Sequence, residues 1–556
     1  MGPMYEILFA LTLIFTVAAG LLLVAAQRDL PVLPFYLLAG ILIGFAIDES
    51  ELLDLAQWGI AFLVFLFGTH VDLEAFRSTG RTSVAIGVVQ AVVVGGLAVA
   101  GALAFGVDPL NAVYFGVAAA LSSSLVATSY LDTDEGVRPT HAQVAESIHF
   151  TEDLLGVLVV LGLSAFVYAA EPAPTQLAVG AGLFALALGV RYLAFHRITS
   201  RLQGDSEVMM LFGITLAIGF IALAEAANLS IIVGAFAAGI AVADDYPHSL
   251  ELVDTIDDLE DFFTPIFFVT VGALLAIPTL ETVGYTVVLV LATLVLNPLI
   301  VGFLLLRGGF DGRTAVMTGL TLDQVSVFSL FIAIEALVAE TIARPLFDAI
   351  VLSAAITWIA ATYTARNAEE INGWLRERGV VRAVGKPIGE KTDVDEGLED
   401  HVIITDFEHG GEHVLEACSE LDRPIVVVED NPARFDDVRE LADNYVYGDV
   451  LNDRTWDVAG LETAALVVSL SPELARAEAI ADLEGDTPRV VRIDSADDAE
   501  AFLEREATGV VYPEAITAER AGDDLEALLT EEISHEEFVG RSRTFFEDPP
   551  YPDQES

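Results

Sequence analysis

Glu152 and Asp153 stand side by side in AESIHFTEDLLGVLVVLGLSAFVY (145–168), a stretch otherwise apolar enough to lie inside a bilayer. Holding charge at membrane depth costs at least about 2.5–3.5 kcal/mol per group. Adjacent carboxylates persist there only where a partner or the chemistry compensates. Their oxygens suit two visitors, a hard monovalent cation and a proton. A site that takes each in turn, and opens alternately to the two sides, is sufficient for exchange. At about 100° per residue Glu146, His149 and Asp153 share one helical stripe, with Glu152 turned about 100° from Asp153. Glu146 lies about 10 Å from Asp153 along that stripe. Glu146 and His149 are therefore candidate access or pH-sensing residues below a carboxylate pair that titrates as a unit.

Two further stretches place polar groups at depth: Ser122-Ser123-Ser124 in AAALSSSLVATSYL, and Asp323-Gln324-Val325-Ser326. Serine runs can open a helix locally and free its carbonyls to ligate a cation. Small residues also let helices pack closely, and both readings stand. Ser122, Ser123 and Gln324 join Asp153 and Glu152 as candidate cation- and proton-binding residues, and Asp323 joins the access group. Glu225, Glu335 and Asp348 are further ionisable candidates.

The elements that carry these residues are membrane spans. The chain is 54% hydrophobic with mean hydropathy +0.57. Its apolar residues are concentrated before residue 365, in thirteen segments near the length of about 20 residues that a bilayer requires. The first lacks a basic leader and reads as a spanning helix rather than a signal peptide. Arg28, Arg77, Arg81, Arg138, Arg191, Arg197, Arg201, Arg307 and Arg313 fall beside connections after odd-numbered segments, and Arg344 alone falls on the other side. The positive-inside rule then puts the N-terminus outside and the C-terminal part in the cytoplasm of a multi-pass plasma-membrane protein. A faint repeat links FYLLAGI (35–41) to AFAAGI (235–240), and FLVFLFGTHVDL (62–73) to PIFFVTVGALLAI (265–277). The offset of about 200 residues spans seven segments, so the second copy would be inverted, an arrangement common in secondary transporters.

Residues 366–398 read as a charged linker, and 521–556 as an acidic, partly disordered tail. Between them, 399–520 alternates short buried strands (VIIT, IVVV, YVYGD, LVVSL, RVVRID) with acidic helices, the pattern of a parallel α/β fold. The fold class is thus a polytopic α-helical membrane domain over 1–365 plus a C-terminal Rossmann-like α/β domain. Asp and Glu number 82 against 27 Lys and Arg, a net charge of −55. That balance excludes a nucleic-acid partner, which needs cationic patches. It suits a salt-loaded, halophilic cytoplasm where screening is short-ranged. The single Cys418 excludes an intrachain disulfide.

Taken together, PVLPFYLLAGILIG, ALSSS, LAEAANLSIIVGAFAAGIAVA, FFTPIFFVTVGA and LTLDQVSVFS resemble the Kef-type branch of the monovalent cation:proton antiporter-2 family, over about residues 10–515. The resemblance implies thirteen helices with inverted repeats and broken crossing helices, a cation-binding aspartate at Asp153, and a homodimer. The residue preceding that aspartate, commonly Gln in this branch, is Glu152. Asn297, in LNPL, stands where the family has a lysine, and Val327 where it has a glutamate. The lysines of this chain are Lys386 and Lys391. Residues 399–520 resemble the TrkA-N, regulator-of-potassium-conductance domain, which implies nucleotide contacts at Gly411, Glu429, Asp449 and Arg492. Where GxGxxG is expected the chain has Asp406, Glu408 and Gly411, and two carboxylates there add bulk and repel phosphate.

The expected function is exchange of a monovalent cation, K+ ahead of Na+, for protons, without catalysis or an obligatory cofactor. A nucleotide or cation would act as regulator on the cytoplasmic domain. A Na+/H+ antiporter is one alternative, and a ligand-gated cation channel is another, although no TVGYG-like filter is present. The acidic surface carries its own test. The melting temperature of the purified protein should climb as KCl rises from millimolar to molar concentration, and a flat curve would remove the high-salt reading.

Overall fold

The computed structural model describes residues 3–27, 30–69, 81–131, 140–168, 172–195, 206–242, 250–310 and 312–378. Beyond these it describes 392–395, 397–405, 414, 418, 423–429, 438–439, 441–448, 450, 453–469, 471, 474–483, 485–503, 508–530 and 533–534. The chain forms two compact units that divide after residue 386.

The first unit is helical. Its helices are α1 (Pro3–Ala26), α2 (Val32–Ile43), α3 (Glu49–Thr69), α4 (Arg81–Ala104), α5 (Pro109–Ala120), α6 (Ser124–Leu131), α7 (Thr140–Leu163) and α8 (Ala173–Val190). They continue with α9 (Ser206–Ala226), α10 (Ile231–Val242), α11 (Leu250–Ala273), α12 (Leu280–Leu291), α13 (Asn297–Gly308), α14 (Gly312–Thr321), α15 (Val327–Val338), α16 (Arg344–Arg366) and α17 (Ala368–Glu377). Among the described residues, eight helical stretches are long and apolar enough to cross a membrane, and four apolar helices are shorter. One of the short ones is α15, and the pairs α5/α6 and α14/α15 are each interrupted, at the Ser122 and Asp323 stretches. α12 and α13 continue through a π-turn at Ala292–Leu296.

Contacts sort the helices into two bundles. α1, α2, α3, α9, α10 and α11 pack with one another as a panel. α4 to α7 and α12 to α16 pack as a core, with α8 leaning on both α10 and α7. Glycine makes the panel possible. A Cβ at Gly40 of α2 would strike the Val269 carbonyl oxygen of α11, and one at Gly272 of α11 would strike that of Leu37. In the other crossing, a Cβ at Gly68 of α3 would lie 2.6 Å from the Phe236 oxygen of α10, and one at Gly239 of α10 would strike the Phe65 oxygen. Gly40 and Gly239 occupy matching places in the repeat, as do Gly68 and Gly272. The α2–α11 and α3–α10 crossings are therefore one contact made twice, as inverted repeats related by a two-fold require.

In the second unit, β1 (Val402–Thr405), β2 (Ile425–Glu429), β3 (Asn444–Tyr447), β4 (Leu466–Ser469), β5 (Arg489–Arg492) and β6 (Thr508–Val511) form one parallel sheet in the order β3-β2-β1-β4-β5-β6. Continuous apolar strands (Val402-Ile403-Ile404, Val426-Val427-Val428) are what a sheet covered on both faces demands. α18 (Asp453–Ala459), α19 (Leu474–Ala481) and α20 (Ala496–Leu503) supply Trp456, Ile480 and Phe502 to its core. α21 (Pro513–Leu529) runs across residue 520, so the expected domain end falls within a helix.

The glycine contacts yield a contrast. Gly40→Ala or Gly239→Ala forces the two backbones apart and should cost about 1–3 kcal/mol of stability. Gly96→Ala, where a Cβ meets nothing within 4 Å, should leave stability unchanged or raise it. Detergent melting curves of the three variants decide, and equal melting temperatures would refute the close-contact account.

Candidate functional site: two broken helices and an acidic pair

α5 ends at Ala120, and Leu121 is extended at φ −92°, ψ 136°. α14 ends at Thr321, and α15 restarts with Ser326 as its N-cap, its hydroxyl accepting the Phe328 amide at 3.0 Å. Each interruption frees backbone groups that cannot reach water inside a bilayer, so each must be answered within the protein. The two breaks first answer each other: the Ser326 amide donates to the Leu121 carbonyl at 3.1 Å, and Gln324 Nε2 donates to the Ser123 carbonyl at 3.0 Å.

Neighbouring helices supply the rest. α7 lays Glu152 against the first break, where Oε2 accepts the Ser122 amide at 2.6 Å and also the Ser122 hydroxyl. His149 Nδ1 lies 3.1 Å from that hydroxyl. α16 does the same for the second break: Thr357 Oγ1 accepts the Val325 amide at 3.1 Å, and Trp358 Nε1 donates to the Val325 carbonyl at 2.8 Å. Thr364 Oγ1 donates to Asp323 Oδ2 at 2.5 Å. α7 and α16 stand in matching places in the two repeats, so one half pins its break with a carboxylate and the other with a hydroxyl.

The carbonyl ends of α5 and α14 are closed by amides. Gln90 Nε2 donates to the Ala120 oxygen at 2.8 Å and to Asn297 Oδ1 at 2.5 Å. Asn297 Nδ2 donates to the Leu322 oxygen at 2.8 Å. Gln90 and Asn297 thus bridge both breaks without a charge, and both are fully buried.

The acidic pair divides. Glu152 is 0% exposed, whereas Asp153 is half-buried and makes one hydrogen bond, accepting from Ser124 Oγ at 2.9 Å. Along the Asp153 stripe of α7, Glu146 is exposed, Phe150 half-buried and His149 buried, while Val157, Val160 and Ser164 are buried. The stripe meets solvent at Glu146 and is shut throughout on the Ser164 side. Several buried polar atoms around the breaks find no hydrogen-bond partner among the described residues: Glu152 Oε1, His149 Nε2, Asp323 Oδ1, Gln324 Oε1 and Gln90 Oε1. Four of the five are oxygens, the ligand type a dehydrated monovalent cation or a proton seeks. Among the described residues no group of three or more His, Cys, Asp or Glu side chains converges to hold a resident metal ion.

Asp153, Glu152, Ser122, Ser123, Gln324, Asn297, His149 and Asp323 are therefore gathered at the crossing, with Glu146 about two turns from Asp153 along α7. Glu225 is exposed, and Glu335 and Asp348 bond elsewhere, to Ser230 and to the Ala276 amide. Sequence reasoning missed Gln90, Thr357, Trp358 and Thr364. Gln90 left a signal, an amide inside the apolar run VAIGVVQAVVVGG. The α16 residues left none, since Thr and Trp are ordinary in a span. Of the expected nucleotide contacts, Gly411 and Asp449 lie outside the described residues. Glu429 is buried at the end of β2, and Arg492 donates from Nε to Asp494 Oδ1 at 2.8 Å.

Residues 10–366 match the family described as sodium/hydrogen exchanger, transmembrane, and residues 402–513 match the TrkA-N domain. The KefB protein of Alkalimonas amylolytica is 26% identical over 541 residues, covering 93% of this chain and 80% of its own length. The glutathione-regulated potassium-efflux system protein KefC of Klebsiella pneumoniae is 24% identical over 532 residues, covering 92% and 83%. Among solved structures, the sodium proton antiporter MjNhaP1 from Methanocaldococcus jannaschii superposes with a TM-score of 0.50 at 15% identity, over 66% of this chain and all of that one.

The amide bridge makes a testable pair. Gln90→Leu and Asn297→Leu each leave a buried carbonyl unpaired, a loss of about 1–3 kcal/mol. Because the two share a hydrogen bond, the double variant should lose less than the sum. Melting temperatures that fall additively would show that the amides do not act as one unit.

Proposed function

The chain belongs to the sodium/hydrogen exchanger transmembrane family, and from that premise we propose that it exchanges a monovalent cation for protons at Asp153. The observation that carries this is the contrast within the acidic pair. Glu152 is sealed and committed to the backbone of a broken helix, while Asp153 is half-open beside unpartnered oxygens at the same crossing. A carboxylate so placed binds a proton or a desolvated cation at one locus, and competition between them couples the two flows. Glu152, Ser122, Ser123, Gln324 and Asn297 shape and surround that locus, with Glu146, His149 and Asp323 on its approach.

K+ is the cation we assign, supported by the likeness to a potassium-efflux protein over 92% of the chain. The C-terminal TrkA-N domain is the regulatory part. The N-terminus lies outside and the sheet domain in the cytoplasm. Supporting this, Arg81, Arg191, Arg307, Arg313 and Arg366 mark helix ends on one side, the side toward which the α7 stripe opens if each segment crosses. A homodimer in the plasma membrane completes the reading, on the family resemblance.

In inverted vesicles, Asp153→Asn should abolish cation-driven proton movement while expression and melting temperature hold. Residual coupled exchange clearly above background excludes Asp153 as the obligatory ligand, since the amide that replaces it can neither take up nor release a proton there. Glu152→Gln keeps a carbonyl oxygen for the Ser122 amide and should retain turnover. Glu152→Leu removes the acceptor and should lose both turnover and stability.

A further inference from the structure

Arg344 is the residue that breaks the arginine asymmetry of the chain, and it stands at the start of α16 where core and panel meet. Its guanidinium reaches three ways. Nη1 pairs with Glu49 at the start of α3, Nη2 donates to the Leu274 carbonyl just past α11, and Nε lies 3.4 Å from Asp348 Oδ1 one turn along α16. Asp348, 3% exposed, also accepts the Ala276 amide at 3.2 Å. The core thus contributes Arg344 and Asp348, and the panel contributes Glu49, Leu274 and Ala276. A second tie runs the same way: panel Ser230 donates its hydroxyl to core Glu335 at 2.6 Å, and its amide donates to core Ser164 at 3.2 Å.

All these groups sit at helix ends on the Ser164 side of Asp153, the side on which the α7 stripe is shut. Deeper in the same interface the panel and core touch through rings: Phe67 with Phe328 and Phe331, and Phe267 with Phe331. Ring contacts are tolerant of sliding, whereas ion pairs and hydrogen bonds are directional. Alternating access of inverted-repeat transporters needs one bundle to rock against the other. Among the described residues, these directional bonds fall where rocking must separate the bundles in order to open the outer side.

We propose that Arg344, through Glu49, is a positioning residue for exchange: it latches the outer end of the core to the panel, holds the Asp153 site open to the Glu146 side, and must release whenever the site faces outward. The proposal rests on the exchange reading above. It also accounts for an arginine kept on the side that the rest avoid.

The apparent affinity at one face scales with the fraction of protein open to that face. Loosening the latch raises the outward fraction. In proteoliposomes of defined orientation, with K+ as the cation and a pH dye as readout, Arg344→Gln should lower KM at the outer face by at least about threefold, while KM at the inner face holds or rises. Glu49→Gln, an exposed and mild change, should shift both in the same directions, and the double variant no further. Arg344→Lys should restore most of the wild-type ratio. A variant that is merely misfolded loses kcat at both faces with the ratio unchanged.

Val160→Cys, on the shut stretch of α7, gives a readout independent of transport. A membrane-impermeant maleimide applied outside should label it faster in the Arg344→Gln background than in wild type. An unchanged KM ratio together with unchanged labelling overturns the latch. Faster labelling in a protein that shows no coupled exchange upholds the latch and overturns the exchange reading instead.

Discussion

Two helices broken at the same depth of a bilayer release backbone donors and acceptors that lipid cannot satisfy, and the architecture of the membrane unit follows from satisfying them. The breaks cross and bond each other through Ser326, Leu121, Gln324 and Ser123. α7 and α16 then close what remains, one with Glu152 and the other with Thr357 and Trp358. An unmet buried polar group costs about 1–3 kcal/mol. So many bonds at one crossing fix its geometry more firmly than apolar packing would. The site inherits its shape from that obligation.

The obligation also separates two chemically similar neighbours. Glu152 and Asp153 are adjacent, yet a rotation of about 100° turns one into the crossing and leaves the other beside the open stripe. Glu152 is occupied by the Ser122 amide and hydroxyl, while Asp153 holds only Ser124. Between the carbonyl ends of α5 and α14 the chain places a neutral pair, Gln90 and Asn297, in a sequence whose first lysine is Lys386. Amides do not titrate in the working range, so this bridge persists whatever the protonation of the carboxylates beside it.

In the soluble unit, the strand order β3-β2-β1-β4-β5-β6 places a switch point between β1 and β4, where doubly wound sheets receive ligands. Thr405 and Ser469 close those two strands with buried hydroxyls that find no partner among the described residues. The acidic residues Asp406 and Glu408 follow β1 directly in the sequence. Cys418 packs with Val402, Ile404 and Val468 of β1 and β4, and burial pushes its thiol up against the opposing pull of Arg423.

By itself the sequence determined what local pattern can determine. Apolar length marked the spans, alternation of strands with helices marked the sheet domain, and carboxylates at membrane depth marked the candidate site, because each is a property of a short stretch read against lipid or water. The repeat was visible as well: Gly40, Gly68, Gly239 and Gly272 appear at matching spacings. That these glycines touch in crossed pairs, α2 to α11 and α3 to α10, only the folded chain decided. The same holds for Glu152, pinned by Ser122 thirty residues away, and for Gln90, which meets Asn297 across 207 residues. Partners that distant are set by how helices cross, and crossing is a collective result of packing that no window of sequence contains.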